Sequence, residues 1–226
     1  MSLVTDHPTF QKFLRYFNSN YRREKVFRLL AYLSRFLGYY AQRKGFSVET
    51  IRMFSALQGH FGMIRKGMRF WKPLNHLDLA VKASLNKVMD PVLQYTTVWR
   101  NLFYAGFFAF DSIVWFKMLG VVSKTSFPTA GKRASQLWAL GLVAGLLNGL
   151  RGLQVNCAKL SAAEEKTDVE QLEEKLYQTK RKLVWDALDL FIALNLVGKL
   201  HFTDGDIGLA GIITSIMGLK DLWATT

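Results

Sequence analysis

The chain has 226 residues, half of them hydrophobic, and its 30 Lys and Arg against 17 Asp and Glu give a net charge of +13. So large a surplus calls for an anionic partner, either nucleic acid or a negatively charged lipid surface. A single cysteine, Cys157, excludes an internal disulfide framework and a Cys-based zinc site.

The first helix is expected to start at a Thr5 or Asp6 cap, with Pro8 in its opening turn, and to run to about Phe17. Asp6, His7, Lys12 and Arg15 interrupt the apolar residues here, so no signal-peptide core forms and the expected route is not the secretory one. After Asn18, Ser19 and Asn20, a second helix runs from Arg22 to about Gln42. Val26, Leu29, Leu30, Leu33, Phe36, Leu37 and Tyr40 lie on one face of it. Its Glu24 is expected to pair with Arg28 at i,i+4.

A third helix, from Val48 to Trp71, is the most informative. Ile51, Phe54, Leu57, Phe61, Ile64, Met68 and Trp71 recur at steps of three and four and share one narrow face. Arg52 sits near its start, and Arg65, Lys66, Arg69 and Lys72 cluster at its end. After Glu49 it holds no acid. A core-packing helix shares this periodicity, but the one-signed charge favours an anionic bilayer surface. The apolar face would sink to the acyl boundary while the basic side chains reach the headgroups.

Lys72 and Pro73 should end that helix, and a fourth follows from Leu74 to about Lys87. Beyond Asp90 and Pro91 comes a long aromatic-rich apolar helix over 92–119, interrupted by Arg100, Asp111 and Lys117. Residues 123–131 form a loop. Ala134 to Leu150 is uncharged, about 25 Å of helix, slightly short of the roughly 30 Å hydrocarbon core. A charged helix over 160–183 is acidic first and basic second, and Leu183 to Leu200 is again apolar. After a turn at residues 203–206, Ile207 to Leu219 is uncharged. The pattern is all-α: N-terminal amphipathic helices, then apolar membrane helices. Charge divides it into a basic region, residues 1–90, with 16 Lys and Arg against 5 acids, and an apolar region, residues 91–226, with 14 against 12.

Gly141, Gly145 and Gly149 form a smooth stripe along which another backbone can approach, and Gly208, Gly211, Ser215 and Gly218 form a second. The two are expected to pair with each other or with copies in a neighbouring molecule. The charge asymmetry keeps the N-terminal region in the cytosol, with Ala134–Leu150 across the bilayer and residues 151–206 beyond it.

Signals for catalysis or a cofactor are poor. His7, His60, His76 and His201 lack metal-ligand spacing, and there is no phosphate loop or nucleophile elbow. Asp186 and Asp189 share a face, but Lys182 marks the first as half of a structural ion pair. No nucleic-acid motif accompanies the charge. The expectation is a protein that is not an enzyme, holds no cofactor or metal and binds no nucleic acid.

Several of these stretches also resemble one family. They are Arg22 to Leu37, Ile64 to Leu77, Trp185 to Asp189, Asn195 to Gly198, and Asp221 to Trp223. In this order they are similar to the peroxin-eleven family of peroxisomal membrane-elongation proteins, most closely its fungal branch. The resemblance implies a protein of the peroxisomal membrane that elongates and tubulates that membrane before division. An N-terminal amphipathic helix is the remodelling element, and Ile51 to Trp71 stands in its place. It also implies self-association and links to a dynamin-type GTPase and fission adaptors. The alternative is a pore for small metabolites, lined by Asp111, Arg100 or Lys117.

Overall fold

The computed structural model describes residues 5–163 and 165–226. Among the described residues there are eight helices and no strand: α1 (Pro8–Asn18), α2 (Asn20–Arg43), α3 (Val48–Met68), α4 (Lys72–Leu85), α5 (Pro91–Met118), α6 (Ala130–Ser161), α7 (Lys166–Val197) and α8 (Asp204–Ala224).

Local chemistry explains most boundaries. His7, rather than Thr5 or Asp6, caps α1, its Nδ1 accepting from the Thr9 N–H at 3.2 Å. Ser47 caps α3 by accepting from Thr50 N–H. Asp90 caps α5, accepting from Val92 at 3.0 Å and Leu93 at 3.1 Å. Thr203 and Asp206 form a reciprocal capping box that starts α8. Gly198, at φ +82°, ends α7 in the left-handed region that glycine adopts without strain.

Three boundaries differ from the sequence reading. Pro73 occupies the first turn of α4, where its missing N–H costs nothing, so the break falls earlier and α3 stops at Met68. The charged helix and the apolar one after it are a single 32-residue helix, α7, since no Gly or Pro separates Lys182 from Leu183. The last apolar segment is also longer than its uncharged stretch: α8 has 21 residues, about 31 Å. Among the described residues it is the one helix long and apolar enough to cross a membrane.

The helices form two compact units, one of residues up to Arg69 together with His201–Thr226, the other Phe70–Leu200. The division at residue 90 therefore follows charge but not packing. The basic α4 packs on α5, and the apolar α8 packs on α2. In the first unit α2 lies between α3 and α8, antiparallel to both. Phe27 meets Phe61 and Gly38 meets Phe54 on one side. Arg28 bonds Thr214, and Tyr39 lies against Gly205, on the other. In the second unit α6 lies between α5 and α7.

Candidate functional site: charged seams and apolar outer faces

The α3 stripe faces α2. Phe61 stacks near Phe27 at 5.9 Å, and the Phe54 Cβ is 3.4 Å from where a Gly38 side chain would begin. The cover is partial. Ile51, Phe54, Leu57, Phe61 and Met68 are half-buried, and Ile64 is exposed. Trp71 no longer belongs to the stripe: it lies in the turn after α3, exposed, beside Phe70 at 5.1 Å.

The basic cluster is likewise divided. Arg65 Nε donates to Glu24 Oε1 at 3.1 Å, with Arg69 Nη1 at 3.9 Å from the same oxygen. Lys25 lies 3.8 Å from the other oxygen. Glu24, the one acid between Asp6 and Glu49, is buried at the centre. Arg28, expected to be its partner, instead donates to Thr214 Oγ1 at 2.9 Å and lies over the Tyr32 ring at 5.5 Å. Lys72 lies in α4, 5.2 Å from the centre of the Phe108 ring. Lys66 is half-buried and Arg52 is exposed. The Glu24 seam joins residues 41 positions apart, and i,i+4 reasoning could not have found it.

Both small-residue stripes are filled within their own unit. A side chain added at Gly141 would strike Tyr104, one at Gly145 would strike Arg100 and Asp186, and one at Gly149 would strike Leu183. The α6 stripe thus receives α5 and α7. Gly208 admits the Phe36 backbone, Gly211 admits the Tyr32 ring, and Ser215 is fully buried, so the α8 stripe receives α2. The expected pairing of the two stripes with each other is replaced by these contacts. A neighbour in the same unit already sits over Gly141, Gly145, Gly149, Gly208 and Gly211.

At Gly145 the chain crosses a buried ion pair. Arg100 donates to both Asp186 oxygens, at 2.6 and 3.0 Å, and Lys182 lies 3.4 Å from Asp186 as its spacing suggested. Asp189 accepts from Trp185 Nε1 at 3.1 Å. Asp111 is buried. Arg100 is taken up by Asp186, and Lys117 Nζ donates to the Phe127 carbonyl at 3.4 Å. Asn148, which sequence reasoning passed over, donates to the Leu93 carbonyl and to the Thr96 and Thr97 hydroxyls at 2.8–3.0 Å.

Two groups outside these seams are shifted by their own surroundings. The Arg151 guanidinium, 2.8 Å from Asp90, and the α5 N-terminal amides hold the Asp90 carboxyl below its ordinary value. Burial pushes the His76 imidazole down, against the hydrogen bond it shares with Asn101 at 2.9 Å. It stacks at 5.3 Å on both Tyr104 and Phe108. Among the described residues no group of acids, histidines and cysteine could hold a metal ion.

Outward, the middles of α6 and α8 are apolar. In α6, Leu140, Val143, Leu147 and Leu150 form an exposed stripe opposite the glycines, and in α8, Leu209, Ile213 and Ile216 do the same. Small and charged residues packed inward, with aliphatic residues turned out, make the arrangement of a protein whose solvent is lipid.

Comparison with known proteins agrees. The family model of peroxisomal biogenesis factor 11 (PEX11) matches residues 10–223. This chain belongs to that family. It is 35% identical to peroxisomal membrane protein PMP30A of Candida boidinii, over 97% of this chain and 96% of that one. It is 34% identical to PMP27 of Saccharomyces cerevisiae, over 97% of each. Identity to peroxisomal biogenesis factor 11 of Schizosaccharomyces pombe is 26%, over 99% of this chain and 98% of the relative. No solved structure matches the chain significantly. Family membership makes it a protein of the peroxisomal membrane with a role in peroxisome biogenesis, within a family of membrane biogenesis proteins rather than enzymes.

Proposed function

We propose that this family member elongates and tubulates the peroxisomal membrane by inserting α3 into the cytosolic leaflet, so promoting proliferation and division. One observation carries the reading. α3 has a continuous apolar stripe, yet among the described residues it is the only helix with no buried residue. An element that buries so little has least to lose on leaving its neighbour. Laid on the bilayer, its stripe reaches the acyl boundary, and Arg52, Lys66 and the released Arg65 and Arg69 meet anionic headgroups. A wedge in one leaflet expands that leaflet and favours curvature. Self-association, and contact with a dynamin-type GTPase and its adaptors, complete the proposal as the steps after curvature.

The test is tubulation of anionic liposomes by the full chain, viewed by electron microscopy. The parent should draw out tubules, fewer as salt rises, and Phe61→Glu with Ile64→Glu should draw none. A double variant that tubulates as well as the parent refutes insertion through α3.

A further inference from the structure

We propose that α2 crosses the bilayer as the antiparallel partner of α8, with its aliphatic face against lipid acyl chains. The evidence is how α2 distributes its residues around its circumference. Toward α3 it turns Glu24, Phe27 and Gly38. Toward α8 it turns Arg28, Tyr32, Phe36 and Tyr39. The third side carries Val26, Leu29, Leu30, Leu33, Leu37 and Tyr40, spaced for one helical face. These residues are half-buried to exposed, while Glu24 and Arg28 are 2% and 7% exposed. A helix in water puts its leucines in and its charges out; α2 does the reverse.

The ends of the helix name the occupant of that face. Exposed Tyr21 precedes Arg22 and Arg23 at one end, and exposed Tyr40 precedes Arg43 and Lys44 at the other. Tyrosines and cations in this order are the anchors of a membrane–water interface. Nineteen residue steps from Tyr21 to Tyr40 span about 28 Å, close to the roughly 30 Å hydrocarbon core. Two cationic girdles that far apart match two headgroup layers; a second copy of this basic chain would be repelled by them. α8, about 31 Å long, runs beside α2 in the opposite direction and turns its own Leu209, Ile213 and Ile216 outward.

The composition of α2 hides this role, because Arg28 and Arg35 lower its hydropathy. Both are paired: Arg28 bonds the buried Thr214, and Arg35, five residues before Tyr40, donates to the exposed Asp204 at 2.6 and 3.0 Å. Intramembrane charges that face the bundle and are paired are the tolerated kind. The proposal places Asn18 and Lys44 on opposite sides of the membrane, where charge asymmetry alone keeps the N-terminal region on one side. Docked α3 packs along α2 from Glu24 to Gly38 and so lies at the same depth; its insertion into the cytosolic leaflet is a separate step, in which α3 leaves α2.

The experiment uses the full chain in sealed peroxisomes, with Cys157→Ser and either Asn18→Cys or Lys44→Cys. An impermeant maleimide should label one of the two before detergent and the other only after it. Labelling of both, or of neither, before detergent overturns the proposal. A fluorophore at Leu33→Cys in the same background adds a second reading. Quenchers deep in the acyl chains should reach it better than shallow ones; the opposite order, or no quenching, also overturns the proposal. Loss of tubulation in the α3 variants would leave both readouts unchanged, so the two ideas fail separately.

Discussion

Replacing Gly145 by Ala should destabilise the second unit, because the added methyl collides with an ion pair that cannot step aside. A Cβ there lies 2.7 Å from Asp186 Oδ2 and 2.9 Å from Arg100 Cζ, and strikes Arg100 Nη1. Arg100 is the flexible partner, yet it is held by two bonds to a carboxylate whose side chain is only 4% exposed. Losing one such charge-assisted bond costs about 1.5–3 kcal/mol, and rupture of the buried pair about 3–5 kcal/mol. The helix propensity gained by removing a glycine returns about 1 kcal/mol. A net loss of about 0.5–2 kcal/mol follows if one bond goes, and of about 2–4 kcal/mol if the pair breaks. Gly152→Ala is the control, since its Cβ meets only Thr179 Cγ2 at an ordinary 3.6 Å, and it should gain up to about 1 kcal/mol. Denaturant unfolding in mild detergent would compare the two. Replacing Arg100 and Asp186 together by Met and Leu should make Gly145→Ala harmless. Equal stability of Gly145→Ala and Gly152→Ala would refute the reasoning.

The Asp90–Arg151 clamp should be acid-sensitive. The folded state holds the Asp90 carboxyl below its ordinary value, so its contribution is complete above the unfolded value of about 3.9 and is lost as pH falls through the depressed one. Hydrogen exchange at the Val92 and Leu93 amides should accelerate in that acid window, and Asp90→Asn should remove the acid-dependent part. Neutralising Arg52 and Lys66 should weaken binding to anionic vesicles by about 1 kcal/mol per charge, and added salt should mimic this. Flotation through a density gradient measures it, and salt-independent binding would count against headgroup contact.

The existence of the helices was legible in the sequence because their signals are local: breaks at Asn18 to Asn20 and at Asp90 and Pro91, with periodicity between them. Partners were not. The glycines of α6 announced a close approach, but whether the visitor was α5, α7, α8 or another molecule depended on contacts 34 to 45 residues away, such as Leu183 against Gly149 and Arg100 against Gly145. Glu24 shows the same limit: Arg28 was the nearer candidate in sequence, yet Arg65 on α3 reaches it. The basic cluster read as one headgroup site because its members are close in the chain. The turn at residues 69–71 separates them, sending Lys72 to Phe108 and leaving Arg65 on Glu24.

Under the proposed insertion of α3, that last contact would set the threshold. While α3 stays on α2, Glu24 occupies Arg65 and Arg69 as a lipid phosphate would. Release strips the buried carboxylate of Arg65 and Arg69 and leaves it only Lys25 among these cations, a cost of up to about 3–5 kcal/mol. Headgroups return about 1 kcal/mol per basic residue near an anionic surface, so Arg52, Arg65, Lys66 and Arg69 together supply a similar sum. Insertion should therefore switch over a narrow range of anionic lipid content, a few kcal/mol being enough to reverse a two-state population. Glu24→Gln keeps the shape but removes the competing charge, and should lower the anionic fraction needed for tubulation. The readout is the midpoint of a lipid titration with the full chain. A midpoint unmoved by Glu24→Gln, with the variant as stable as the parent, would mean that Glu24 does not hold α3 back.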